Sequence, residues 1–191
     1  MITLKGPWTT GFAFDVHTIK SVHRGENEWG HAVFESTRSE MGEYIYRLKY
    51  RQDVSMIGRI VDLLQTQLEF VKFMMNVDVI LPVPPSNKGR KLQPVVLIAQ
   101  KLAEVFGKEF RVDVLDSTNT EQVKDIDSHE KYSTVKNSIL VNDRLDKIKR
   151  ILILDDLFDS GSTLSAYVMA LREKGYMNVS IFALTRTRKA N

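Results

Sequence analysis

The segment RILILDDLFDSGSTL, residues 150–164, constrains this chain more than any other. The four apolar residues from Ile151 to Leu154 read as a buried strand, and they end at two adjacent carboxylates, Asp155 and Asp156. Asp159, Ser160, Gly161, Ser162 and Thr163 then make a small polar turn that leads into an amphipathic segment from Leu164 to Lys174. A strand, an acidic end, a tight turn and a helix are the parts of an open parallel sheet, in which ligands bind at the carboxyl ends of the strands.

Gly161 allows the backbone to tighten, so that successive N–H groups point into the turn while the helix N-terminus adds partial positive charge. The hydroxyls of Ser160, Ser162 and Thr163 are further donors, and the set suits a phosphate monoester. Asp155 and Asp156 would repel a phosphate at contact distance. As acceptors they suit ribose hydroxyls one sugar-length away, which together describes a ribose 5-phosphate site. The competing interpretation is a turn that only caps the next helix, with Asp159 or Ser162 as N-cap. Neither G-x-x-x-x-G-K-[ST] nor G-x-G-x-x-G occurs in the chain.

At these residues the chain resembles the phosphoribosyl pyrophosphate (PRPP) motif of type I phosphoribosyltransferases. Over roughly residues 44–187 the order of segments resembles the ComF-like (competence protein F) branch of that family. The segments carrying it are YRLKYRQD, LPVPPSNKGRKLQ and TEQVKDIDSHEKYSTVKNSILV, with the acidic motif behind them. Many members of that branch begin with a cysteine-rich zinc ribbon, whereas this chain has no cysteine. Asp159 stands where ComF-like relatives usually have threonine; an aspartate there resembles the purine-salvage phosphoribosyltransferases, in which it faces the nucleobase.

The resemblance implies an α/β enzyme of the type I phosphoribosyltransferase fold, a mainly parallel sheet flanked by helices, to which the residue pattern of this chain adds an N-terminal β-hairpin appendage in place of the ribbon. It implies transfer of the phosphoribosyl group from PRPP to a nitrogen acceptor with release of pyrophosphate, and Mg²⁺ carried by PRPP near Asp155 and Asp156. The expected PRPP-binding residues are Asp155, Asp156, Asp159, Ser160, Gly161, Ser162 and Thr163, with Asp159 also catalytic. Two other functions fit the same motif: a non-catalytic PRPP or nucleotide sensor, and a ComF-like handler of single-stranded DNA.

The rest of the chain is legible in order. Residues 11–20 and HAVFEST, with Phe12, Phe14, Val16, Ala32 and Phe34 at period two around a polar turn, predict an antiparallel hairpin. This defines an N-terminal hood over residues 1–40 and an α/β domain over 41–191. His17, His23 and His31 lie in or beside the hairpin without tight ligand spacing, so they are expected to be surface or hydrogen-bonded histidines. Met41, Tyr44, Ile45 and Leu48 predict a short helix, and Ile57 to Val71 a longer one.

A strand over Asp78 to Val83 leads into Ser86, Asn87, Lys88, Gly89 and Arg90, a basic loop placed for a pyrophosphate, of which Ser86, Asn87, Lys88 and Arg90 are the expected binders. The helix after it has Pro94 in its first turn and stops at Gly107. A strand over Phe110 to Val114 is followed by a long polar stretch, within which residues 116–133 are expected to form a lid that shields the ester from water. Val179 to Thr185 is expected to close the sheet as a buried strand.

Composition narrows the setting. With 191 residues, 43% hydrophobic and 27% charged, the chain has the make-up of one ordinary globular domain. Without cysteine it has neither disulfides nor thiolate metal sites. No signal peptide and no apolar run near the ~20 residues of a membrane span is seen, so a cytoplasmic location without a membrane partner is expected. The net charge of +3 is mild. Arg47, Lys49 and Arg51, and Arg186, Arg188 and Lys189, are basic clusters that would suit nucleic acid, a partner less favoured than a phosphorylated small molecule.

Overall fold

A computed structural model describes residues 1–87, 89–117, 139–142 and 144–188. Among the described residues the central sheet has six strands in the order β1 (Ile2–Thr3), β2 (Gly11–Val16), β10 (Val179–Arg186), β9 (Ile151–Phe158), β5 (Val79–Pro82) and β6 (Glu109–Phe110). All neighbours are parallel except β1, which runs antiparallel to β2. The protein is therefore α/β, with a mainly parallel sheet covered on both faces by helices.

The two faces follow from strand periodicity. Ile151, Ile153, Val179 and Ile181 point to one side, under Leu164, Tyr167, Val168 and Leu171 of α5 (Ser162–Glu173). Leu152, Leu154, Phe182 and Leu184 point to the other, where α1 (Glu40–Tyr50), α2 (Met56–Gln65), α3 (Leu68–Met75) and α4 (Pro94–Phe106) cover them. An unbroken apolar run is what a strand needs when both of its faces are buried. Pro94 opens α4, and Gly107, at φ +60°, ends it in the left-handed region. Among the described residues no helix is long and apolar enough to cross a membrane.

Four expectations are corrected. The strand predicted over 11–20 divides at His17: β2 joins the main sheet beside β10, and the antiparallel ribbon is instead β3 (Thr18–Glu26) with β4 (Ala32–Arg38). Ala13 is fully buried whereas no residue of β3 is, so only the first half has an apolar face to offer the sheet. The expected apolar side of the ribbon stays open, with Phe34 58% exposed. Asn27 shapes the ribbon's turn, its Oδ1 accepting from the backbone N–H groups of Trp29 and His31.

The long helix is two. Thr66 Oγ1 donates to the Leu63 carbonyl at 2.7 Å, and Gln67 is extended, so the chain breaks and turns Phe70 toward Phe182, with ring centroids 4.7 Å apart. The strand over 110–114 shrinks to β6, because Arg111 donates twice to the Asp113 carboxylate and curls the chain. Leu115–Ser117 (β7) then pairs with Ile139–Val141 (β8) outside the main sheet. Finally, β10 is an interior strand. It is buried as expected, with the five successive residues Ile181 to Thr185 fully buried, but it lies between β2 and β9 and does not end the sheet. The lid expected over 116–133 lies outside the described residues apart from Asp116 and Ser117.

Candidate functional site

β9 continues four residues beyond the apolar run, so both acids are inside the strand, with Asp155 beside Ala183 of β10. Adjacent residues of a strand face opposite sides. Asp155 lies on the α5 side, half-buried, and its Oδ1 accepts the backbone N–H of Asp156 at 2.8 Å. Burial, and secondarily the Asp156 carboxylate, push its carboxyl up to about 7. Behind it the buried Tyr167 phenol is raised, chiefly by burial, and bonds to Ser117.

Asp156 turns to the α1 side, where its Oδ2 meets Lys49 Nζ at 2.5 Å. The two carboxylates thus do not lie side by side.

The turn after β9 is built around Gly161. Its φ of +81° is left-handed, and a Cβ there would sit 2.6 Å from Phe158 Cζ. Phe158 is held in turn by Trp8, at 6.1 Å between ring centroids, edge to face. Ser160 and Ser162 share a hydroxyl hydrogen bond of 2.9 Å, Ser160 Oγ also accepts the Ser162 backbone N–H at 3.3 Å, and the N-cap residue Gly161 has no side chain with which to cap α5. Thr163 lies in the first turn of α5. Asp159 is exposed at the mouth of the turn, its Oδ1 accepting from Thr187 Oγ1 at 2.8 Å.

The basic loop leaves β5 at the same sheet edge, since Pro82 is opposite Leu154 in register. Asn87 is its organiser: Oδ1 accepts from the Gly89 N–H, and its carbonyl accepts from Gln93 Nε2 and from the Arg90 N–H. Ser86 and Arg90 are exposed, and the side chain of Arg90 has no ion pair with a described residue. Lys88 lies outside the described residues.

Sequence reasoning missed Lys49 as a partner of the acidic motif. A signal existed: with Met41, Ile45 and Leu48 forming the buried stripe of α1, position 49 falls on that stripe, and a cation there needs a counter-ion. The cluster it was grouped with disperses. Arg47 pairs with Asp53 at 2.6 Å, and Arg51 lies over the Tyr46 ring.

His17 is also drawn in, half-buried at the end of β2. Thr185 Oγ1 donates its single proton to the Asp156 carbonyl at 2.9 Å, so its 3.2 Å contact with His17 Nδ1 has the histidine as donor. Nε2 is therefore the bare nitrogen. Burial, then Arg38 and Lys49, lower the His17 pKa and keep the ring neutral. His23 packs against Phe34, and His31 is exposed.

No family model matches the chain, and no curated protein does. Solved structures to which it is similar include an adenine phosphoribosyltransferase, at 10% identity over 88% of this chain and 86% of that one with a TM-score of 0.49. Another is the adenine phosphoribosyltransferase of Saccharomyces cerevisiae in complex with an imino-altritol bisphosphate and adenine, at 10% identity, coverage of 87% and 83% and a TM-score of 0.47. A purine phosphoribosyltransferase from Pyrococcus horikoshii Ot3 is similar at 18% identity, coverage of 70% and 84% and a TM-score of 0.41. Identities of this size leave the chemistry to be argued from this chain's own residues.

Proposed function

We propose that the chain is a phosphoribosyltransferase that takes PRPP as donor. Within that class its motif order resembles the ComF-like branch, and we assign it there. The observation that carries the proposal is the N-terminus of α5, entered through left-handed Gly161 and flanked by the Ser160 and Ser162 hydroxyls, directly after two acids on a central strand. The backbone N–H groups and the dipole at this helix start, with the two serine hydroxyls beside them, favour an anion, and the acids set the sugar's place.

In this proposal Ser160, Gly161, Ser162 and Thr163 hold the 5-phosphate. Asp155 meets the ribose hydroxyls, as acceptor when ionised and as donor when protonated. Asp156, bound to Lys49, fixes the strand beneath the sugar. Ser86, Asn87, Lys88 and Arg90 receive the pyrophosphate. The acceptor nitrogen bonds to C1 while the C1–O bond breaks and its electron pair leaves on pyrophosphate. The proton of the acceptor N–H passes to a carboxylate oxygen of Asp159.

Asp155, a carboxylate beside the proposed ribose hydroxyls, fits a Mg²⁺ that would arrive on PRPP, held mainly by ligand oxygens and water. When bound, the ion supplies positive charge to the leaving pyrophosphate.

Thermal denaturation with PRPP and Mg²⁺ tests the proposal. A ligand at about a hundred times its Kd stabilises by about 2.7 kcal/mol, a rise of about 5–10 °C in Tm for a domain of this size. Ribose 5-phosphate should give a smaller rise. An unmoved Tm at millimolar PRPP ends the proposal.

A further inference from the structure

A cleft of about 770 Å³ lies between the β3–β4 ribbon and the carboxyl ends of β2, β9 and β10. That volume is within the range of about 300–1,000 Å³ typical of small-molecule sites. Leu157 and His17 line it together with three cations, Lys20, Arg186 and Arg188, and no carboxylate is among its described lining residues. None of the three cations has an ion pair with a described residue.

The two arginines are oriented by backbone. Arg186 Nε donates to the Thr187 carbonyl at 3.2 Å, and Arg188 Nη1 donates to the Ile19 carbonyl of the ribbon at 2.7 Å. Each guanidinium keeps further N–H donors for another partner. Gathering three positive charges around one cleft is unfavourable until an anion joins them.

The cleft adjoins the phosphate turn, because Thr187, which lines it, donates to Asp159. His17 brings to the same lining a ring whose Nε2 is a bare acceptor, suited to a ring N–H. We propose that this cleft is the acceptor site and that it takes a nitrogen heterocycle bearing a carboxylate, gripped by Lys20, Arg186 and Arg188. The assignment of the bound molecule as acceptor rests on the phosphoribosyltransferase proposal above. The preference for an acid does not.

The test is direct binding without turnover, by equilibrium dialysis of wild-type protein against matched pairs: uracil and uracil-6-carboxylate, pyridine and pyridine-3-carboxylate, imidazole and imidazole-4-carboxylate. Inorganic pyrophosphate is a further arm, since the same cations would suit a phosphate. In at least one pair the acid is expected to bind about tenfold or more tighter than its neutral partner. Lys20→Gln and Arg186→Gln are each expected to lower that affinity about tenfold or more, the effect of one hydrogen bond to a charged group. Their Tm and their affinity for pyrophosphate should stay at the wild-type values.

Equal binding of acid and neutral partner in every pair overturns the proposal. So does pyrophosphate binding that exceeds every acid and is lost in the same variants. An acid preference without any PRPP-dependent rise in Tm keeps the anion cleft and removes the transferase. A PRPP-dependent rise with no acid preference does the reverse.

Discussion

Replacing Gly161 with alanine perturbs the turn on which the proposed phosphate site depends, in two separable ways. At φ +81° a Cβ costs about 1–2 kcal/mol by crowding its own backbone. The same Cβ would stand 2.6 Å from Phe158 Cζ and 2.8 Å from Cε2. That ring is 9% exposed and leans on Trp8, itself tied by Nε1 to the Leu4 carbonyl at 2.9 Å, so it cannot swing into solvent without opening the core. Overpacking of this kind costs a further ~1–3 kcal/mol.

The expected loss is therefore about 2–5 kcal/mol, seen as a fall in Tm of at least about 4 °C and a lower urea midpoint. Gly107→Ala is the control. Gly107 has φ +60°, but nothing lies within 4 Å of its missing Cβ, so it reports the backbone cost alone. If Gly161→Ala costs no more than Gly107→Ala, Phe158 yields freely and the packing argument is wrong. If it costs nothing, the turn is not held in the left-handed region at all.

Lys49→Met should destabilise by about 1–3 kcal/mol, because Asp156 is left without its counter-ion. Lys49 is 26% and Asp156 11% exposed, which places the pair between a surface bridge and a fully buried one. The double variant Lys49→Met/Asp156→Leu should regain part of the loss, and equal urea midpoints for the single and double variants would contradict the pairing. Asp155 titrates above its ordinary value, so the folded protein keeps that proton after the unfolded chain has released it. Stability contributed this way should decline as pH rises from about 4, the ordinary carboxylate value, to about 7, then level off, and Asp155→Asn should flatten that slope; a slope unchanged in the variant would remove Asp155 as its source. Asp159→Asn should lower turnover about 10²- to 10⁴-fold while leaving the PRPP-dependent rise in Tm in place. Full turnover in that variant would remove Asp159 from catalysis and leave it only as the hydrogen-bond partner of Thr187, a bond that the asparagine oxygen can also accept.

What the sequence determined by itself was local. The run from Ile151 to Leu154 specified a strand covered on both faces, Pro94 and Gly107 bounded their helix, and Gly161 among hydroxyl residues specified a tight turn into α5. Each of these rests on forces that act within a few residues: side-chain period, proline's fixed φ and glycine's freedom at positive φ.

Which surfaces meet was decided only in the tertiary structure. Lys49 reaches Asp156 across more than half of the chain, Thr185 joins His17 to the Asp156 carbonyl, and β10 inserts between β2 and β9. The break at His17 is of the same kind, because β2 buries its face beside β10 while the chain beyond His17 pairs with β4 instead. Periodicity tells a strand that it has an apolar face, but the choice among the surfaces that could cover it belongs to the packing of the whole chain, and the partners of buried charges are chosen with it.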